Sequence, residues 1–156
     1  LLDNVLLGAR LRGELCREKR DKALALIREA GLAGSEDKLP AALSGGMRQR
    51  GALLRTLMEE RPVILMDEPF SALDALTRVR LQNLAAKLTS GATVVLVTHD
   101  PMEALRLGHR IVVLGGSPAR VMEIVEPEGG TPREPGAELA ALYAQLLARL
   151  MNAEAA

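Results

Sequence analysis

A Ser-Gly-Gly turn opening straight into a helix, with an apolar strand ending in two carboxylates soon after it, constrains this chain more than any other feature. The turn and helix start read Leu43-Ser44-Gly45-Gly46-Met47-Arg48-Gln49-Arg50, and the strand reads Val63-Ile64-Leu65-Met66 before Asp67-Glu68. Ser44 is a good N-cap, and Gly45 and Gly46 put no side chain over the first backbone N–H groups. Those unpaired donors and the positive end of the helix dipole make such a start a ready anion site. Asp67 and Glu68 fall at the carboxyl end of an expected parallel strand, where open α/β sheets place their ligands. An anion-accepting helix start, a carboxylate suited to Mg²⁺ and a second carboxylate suited to act as a base point to nucleoside triphosphate hydrolysis. Each part also has a plainer reading by itself: Ser44-Gly45-Gly46 as a helix cap, and Asp67-Glu68 as two solvated acids ending a strand.

Composition narrows the alternatives. The 156 residues make one domain's length or less, and 48% hydrophobic with 26% charged residues suffices to bury a core. A net charge of zero implies no general attraction to nucleic acid or anionic lipid. Phe70 and Tyr143 are the whole aromatic complement, which argues against a base-stacking platform. Cys16 is alone, so there is neither a disulfide framework nor a thiolate metal cluster. The longest apolar runs, such as Val94 to Val97, are too short to span a bilayer. With no signal peptide and no Met at its start, the chain reads as a soluble cytoplasmic piece whose beginning is missing.

Taken in order, Leu1 to Leu11 reads as a helix with Asp3 as candidate cap and Gly8 weakening its middle. After Gly13, Glu14 to Ala30 is amphipathic, with Ala23, Leu24, Ile27 and Ala30 on one face and Gly31 placed to end it. A loop containing Pro40 leads to a helix expected over Gly45 to Glu60, and Pro62 follows it. Val63 to Met66 reads as a buried strand. Asp74 caps a helix with Leu81, Leu84 and Leu88 inside, and Gly91 closes it. Thr93 to Val97 is β-branched enough for a second buried strand. Asp100-Pro101-Met102-Glu103 starts a short helix directly after His99. Ile111 to Leu114 and Arg120 to Val125 read as strands around a Gly115-Gly116 turn. Glu126 to Gly136, rich in Pro and Gly, reads as a surface connector, and Leu139, Leu142, Tyr143, Leu146 and Leu150 mark a final helix. Alternating strands and helices predict an α/β fold with a mainly parallel core sheet.

Leu43-Ser44-Gly45-Gly46, Asp67-Glu68-Pro69, Ser71-Ala72-Leu73-Asp74 and His99, in that order, resemble the signature motif, Walker B strand, D-loop and switch histidine of ABC transporter ATP-binding subunits. The resemblance covers nearly the whole chain. It implies a partial P-loop NTPase-like fold with a helical subdomain, divided into residues 1–62 (helical subdomain and signature helix), 63–126 (C-terminal part of the ATPase core) and 127–156 (connector and C-terminal helix). It implies ATP and Mg²⁺ as ligands, with Asp67 holding Mg²⁺ through water and Glu68 activating the attacking water. His99 would reach the γ-phosphate, although a lone His is more often structural. Ser44, Gly45, Gly46 and Met47 would act in trans, closing over ATP held by a second ATP-binding subunit of a homodimer. Asp74 would serve both as helix cap and as D-loop residue at that interface. The further partners implied are membrane permease subunits and, indirectly, a solute-binding protein, with the chain peripheral on the cytoplasmic face of the membrane. The Arg-rich face of Glu14 to Ala30 would be either solvated or a permease contact, and His109 is read as surface.

Two departures matter. The family's commonest residue after the two glycines is Gln, and Met47 cannot donate the hydrogen bonds that Gln would. No Gly-x-x-x-x-Gly-Lys-Ser/Thr occurs, and none of Lys19, Lys22, Lys38 or Lys87 follows a glycine, so the expected phosphate loop is absent. Truncation is the simplest expectation, and it leaves two function classes beside the importer motor: a non-hydrolysing regulatory module, or an ABC ATPase outside transport. Met47-Arg48-Gln49 and Thr131-Pro132-Arg133 resemble importers for taurine, alkanesulfonate or nitrate, and the run from Asp100 to Leu114 resembles importer subunits in general.

Overall fold

The computed structural model describes residues 1–154, and the chain folds as two compact units, Leu1–Val95 and the part from Leu96 onward. The first unit begins with helices α1 (Leu2–Val5) and α2 (Leu7–Leu11), then α3 (Arg17–Glu29), a 3-10 turn at Pro40–Ala42, and α4 (Gly45–Leu57). Strand β1 (Val63–Asp67) and helix α5 (Ala75–Leu88) follow, and strand β2 (Thr93–Val97) runs across the boundary between the units. The second unit holds α6 (Pro101–Leu107), β3 (Ile111–Gly115), β4 (Arg120–Val125) and α7 (Ala137–Glu154).

Helices α1, α3 and α4 pack on one another through Leu2, Val5, Ala23, Leu26, Ile27, Leu53, Leu54 and Leu57, all buried. The expected first helix is two, because the chain breaks at Leu6 (φ −90°, ψ 5°). Asp3 does not cap it; it lies in the first turn and pairs with Arg10 at 3.7 Å. Gly8 has a reason beyond propensity, since the Glu59 carboxylate occupies the space a Cβ would need. Helix α3 starts three residues later than expected from Glu14, and Gly31 (φ +67°) ends it in the left-handed conformation that favours glycine. Helix α4 also ends short of Glu60. Glu60 itself has φ +49°, and Arg61 precedes a proline, which disfavours helical backbone there.

Strands β1 and β2 pair, and Thr93 N donates to Pro62 O at 2.8 Å, joining the starts of the two strands so that they run parallel across the α5 crossover. The expectation that both strands are buried is corrected. On β1 only Ile64 and Met66 are covered, while Val63 and Leu65 lie 57% and 74% exposed, and Val94, Val95 and Val97 are exposed on β2. Apolar composition specifies a strand that wants two covered faces, but burial requires an element on each face. Among the described residues one face of β1 has none.

In the second unit β3 and β4 form an antiparallel hairpin, Ile111 opposite Val125, with an irregularity at Val113/Leu114. Leu105, Ile111, Leu139 and Leu146 form its core, with Leu142, Tyr143 and Leu150 packed around them as the spacing in α7 predicts. The connector between β4 and α7 is more than surface. Arg133 is buried within it and donates to five backbone carbonyls, those of Leu105, Gly108, Pro127, Glu128 and Gly129.

Candidate functional site: a glycine-opened helix start beside a carboxylate strand end

Ser44 has extended backbone, and its Oγ accepts from Met47 N at 3.3 Å, so it caps α4 as its residue type predicts. Nothing lies within 4 Å of where a Cβ would stand on Gly45. The first donors of α4 are therefore open to an anion approaching along the helix axis. Gly46 serves a second purpose: a Cβ there would come within 3.2 Å of Ala72 O, so the glycine permits close packing of the segment after β1 against α4. Met47, half-buried, follows on the first turn, and its backbone N–H is already engaged by Ser44.

Asp67 is the exposed last residue of β1. Glu68 follows with φ +47°, a left-handed conformation that strands do not continue through, and its residue is half-buried. The turn that begins at Glu68 runs through Pro69 and Phe70, whose ring is fully buried and anchors the loop from below. Leu73 is buried as well, and Asp74 then caps α5 by accepting from Thr77 N at 3.0 Å. That backbone hydrogen bond, with the Thr77 side chain, holds the Asp74 carboxyl below the usual carboxylate range.

The first unit thus brings Ser44, Gly45, Gly46, Met47, Asp67, Glu68 and Asp74 onto two adjoining pieces of backbone. One side chain, whose part in this junction was not visible in the sequence, joins them. Gln49 Nε2 donates to Glu68 O at 2.8 Å and to Ser71 Oγ at 3.1 Å, and its Oε1 accepts from Ala72 N at 3.0 Å. The available signal was spacing: Gln49 lies three residues beyond Gly46, hence on the same helix face. His99 belongs to the second unit. It is exposed at the bend between β2 and α6, directly before Asp100, which caps α6 through Met102 N and Glu103 N. His109 is exposed, as its reading requires, with Nε2 3.2 Å from Thr131 Oγ1.

The residues suit the ligands the pattern implies. Asp67 offers an exposed carboxylate, which is what Mg²⁺ takes from protein when phosphates and water complete its shell. Open space at Gly45 is what a phosphate oxygen would need to approach backbone N–H groups.

Comparison with known proteins agrees. The family profile described as "ABC transporter" matches residues 2–71. An uncharacterized ABC transporter ATP-binding protein of Haemophilus influenzae is 47% identical over 154 residues, 96% of this chain and 64% of that protein. An aliphatic sulfonates import ATP-binding protein of Rhodococcus jostii is 43% identical, covering 99% of this chain and 60% of its own length. A taurine import ATP-binding protein of Ruegeria pomeroyi is 45% identical over 76% of this chain and 45% of its own length. The chain therefore spans about half to two-thirds of the curated relatives it matches. A solved structure described as an inward-facing conformation of a metal-chelate type ABC transporter superposes with TM-score 0.61 at 25% identity, over 80% of this chain and 51% of that one. With motifs, fold and relatives in agreement, the chain belongs to the ABC transporter family of ATP-binding proteins.

Proposed function

We propose that the chain carries the signature half and the carboxylate half of an importer's ATP-hydrolysing subunit. The observation that supports this most is the junction itself: the open start of α4 is hydrogen-bonded to the turn that presents Glu68 at the end of β1. In this reading Glu68 accepts the proton of the attacking water, and Asp67 holds Mg²⁺ through water, the ion supplying charge neutralisation to the phosphates. Ser44, Gly45, Gly46 and Met47 offer the helix start to ATP bound by a second subunit, so the working form is a homodimer. Asp74 sits at that interface as well as capping α5, and His99 contacts the γ-phosphate. Residues 1–62 form the helical subdomain and signature helix, 63–126 the C-terminal part of the core and 127–156 a connector and C-terminal helix. Permease subunits take up the motion at the cytoplasmic face of the membrane; no described helix is long and apolar enough to cross it.

Replacing Glu68 tests the chemistry. In a chain completed with a phosphate loop, Glu68→Gln keeps size and ATP binding but removes the base, and turnover falls by about 10²- to 10⁴-fold. Near-normal hydrolysis by that variant would remove Glu68 from the role.

The cargo is proposed by analogy alone, since a motor subunit does not touch it. Relatives named for import of aliphatic sulfonates and taurine, at 43% and 45% identity, support a small sulfonate or similar oxyanion. A deletion strain should lose uptake of taurine, an alkanesulfonate or nitrate, and unchanged use of all three would refute this cargo while leaving the motor intact.

A further inference from the structure

We infer that Gln49 is a positioning residue for Glu68, holding the turn after β1 in the conformation that aims the carboxylate. The inference rests on the reading of Glu68 as the general base. Glu68 is one of only two non-glycine residues with positive φ among those described, and nothing about a glutamate side chain favours that conformation. The turn must therefore be held by its surroundings. Its carbonyl is the point of attachment, accepting from Gln49 Nε2 at 2.8 Å and from Ser71 Oγ at 3.1 Å.

The Gln49 amide is used in full. One N–H meets Glu68 O, the other meets Ser71 Oγ at 3.1 Å, and Oε1 accepts from Ala72 N at 3.0 Å. The reversed amide would set its NH₂ against the Ala72 N–H, so these partners fix the orientation. A side chain with one acceptor and two donors on a flat amide is the group that can satisfy all three at once. Gly46, one turn earlier, lets the same segment lie close enough for this, because a Cβ there would press on Ala72 O. Displacement of a reacting group by about 1 Å costs on the order of 10²-fold in rate, so a tether of this kind is felt in catalysis without touching substrate.

Two variants separate the donors from the acceptor. Gln49→Met keeps length and loses all three hydrogen bonds. Gln49→Glu keeps an acceptor for Ala72 N–H and loses both donors to Glu68 O and Ser71 Oγ. In the 156-residue chain, hydrogen exchange at the Ala72 amide should quicken at least about tenfold in Gln49→Met and stay slow in Gln49→Glu. In a chain completed with a phosphate loop both variants should lower kcat by about 10- to 100-fold with KM for ATP within about twofold, and neither should lower it further in a Glu68→Gln background. Unchanged Ala72 exchange in Gln49→Met, or losses that multiply with Glu68→Gln, would overturn the inference. If Glu68→Gln hydrolyses ATP normally, the reading of Glu68 fails on its own, and the Ala72 exchange still decides whether the tether exists.

Discussion

At single residues, the candidate site is built from ordinary local rules used in adjacent places. Ser44 and Asp74 each have extended backbone and cap the helix that follows, and both were legible because capping depends on residue type and position. Glu68 was legible as a carboxylate but not as a strained one, since its φ of +47° comes from a turn that tertiary hydrogen bonds impose. Asp74 gives a pH prediction. Its carboxyl is held below the usual range by the Thr77 N–H first and the Thr77 side chain second. A depressed folded value means the cap contributes stability above the ordinary carboxylate range and loses it as pH falls through the lowered value. Asp74→Asn does not titrate, so the stability difference between wild type and variant, followed by thermal melting, should shrink as the solution is acidified below that range. A difference independent of pH down to strong acid would show that the carboxylate is not the capping form.

Among the elements, the connector before α7 departs most from its sequence reading. Pro and Gly content predicts a surface loop, and by composition it is one, yet Arg133 turns back into the unit. Its guanidinium meets the carbonyls of Leu105 and Gly108, groups that α6 leaves unpaired at its end, at 2.6 and 2.9 Å. Its other donors collect Pro127, Glu128 and Gly129, so a single side chain closes the loop on itself and onto the helix that begins after His99. Sequence could not show this, because the partners are backbone atoms whose meeting depends on the fold. Arg133→Met should destabilise the unit by about 2–4 kcal/mol, the scale for leaving several buried acceptors without a charged donor. Lys would recover little, having no fork to span carbonyls in different directions. Faster hydrogen exchange in α6 and β3 is the readout, and unchanged protection would refute the clamp. The strands fail differently: an apolar run located β1 and β-branching β2, but the covered side of each depends on elements elsewhere, so their burial was over-read.

For the whole molecule, the central claim is that the chain owns one half of a composite ATP site. In the proposed reading Ser44, Gly45 and Gly46 serve a partner's nucleotide and Asp67 and Glu68 the chain's own, and no Gly-x-x-x-x-Gly-Lys-Ser/Thr lies among these 156 residues. Family membership and fold were legible because four short motifs in order are specific, whereas the cargo was not, because cargo is not written in a motor subunit. The exposed apolar face of β1, with Leu65 at 74%, adds that this sequence has surface suited to further protein. The most direct measurement is a calorimetric titration of the purified 156-residue chain with Mg-ATP, run beside a phosphate-release assay. No binding at micromolar nucleotide and no release above the protein-free blank are expected. Micromolar binding or steady hydrolysis by the chain alone would contradict the central claim, since a complete phosphate site would then lie within these residues.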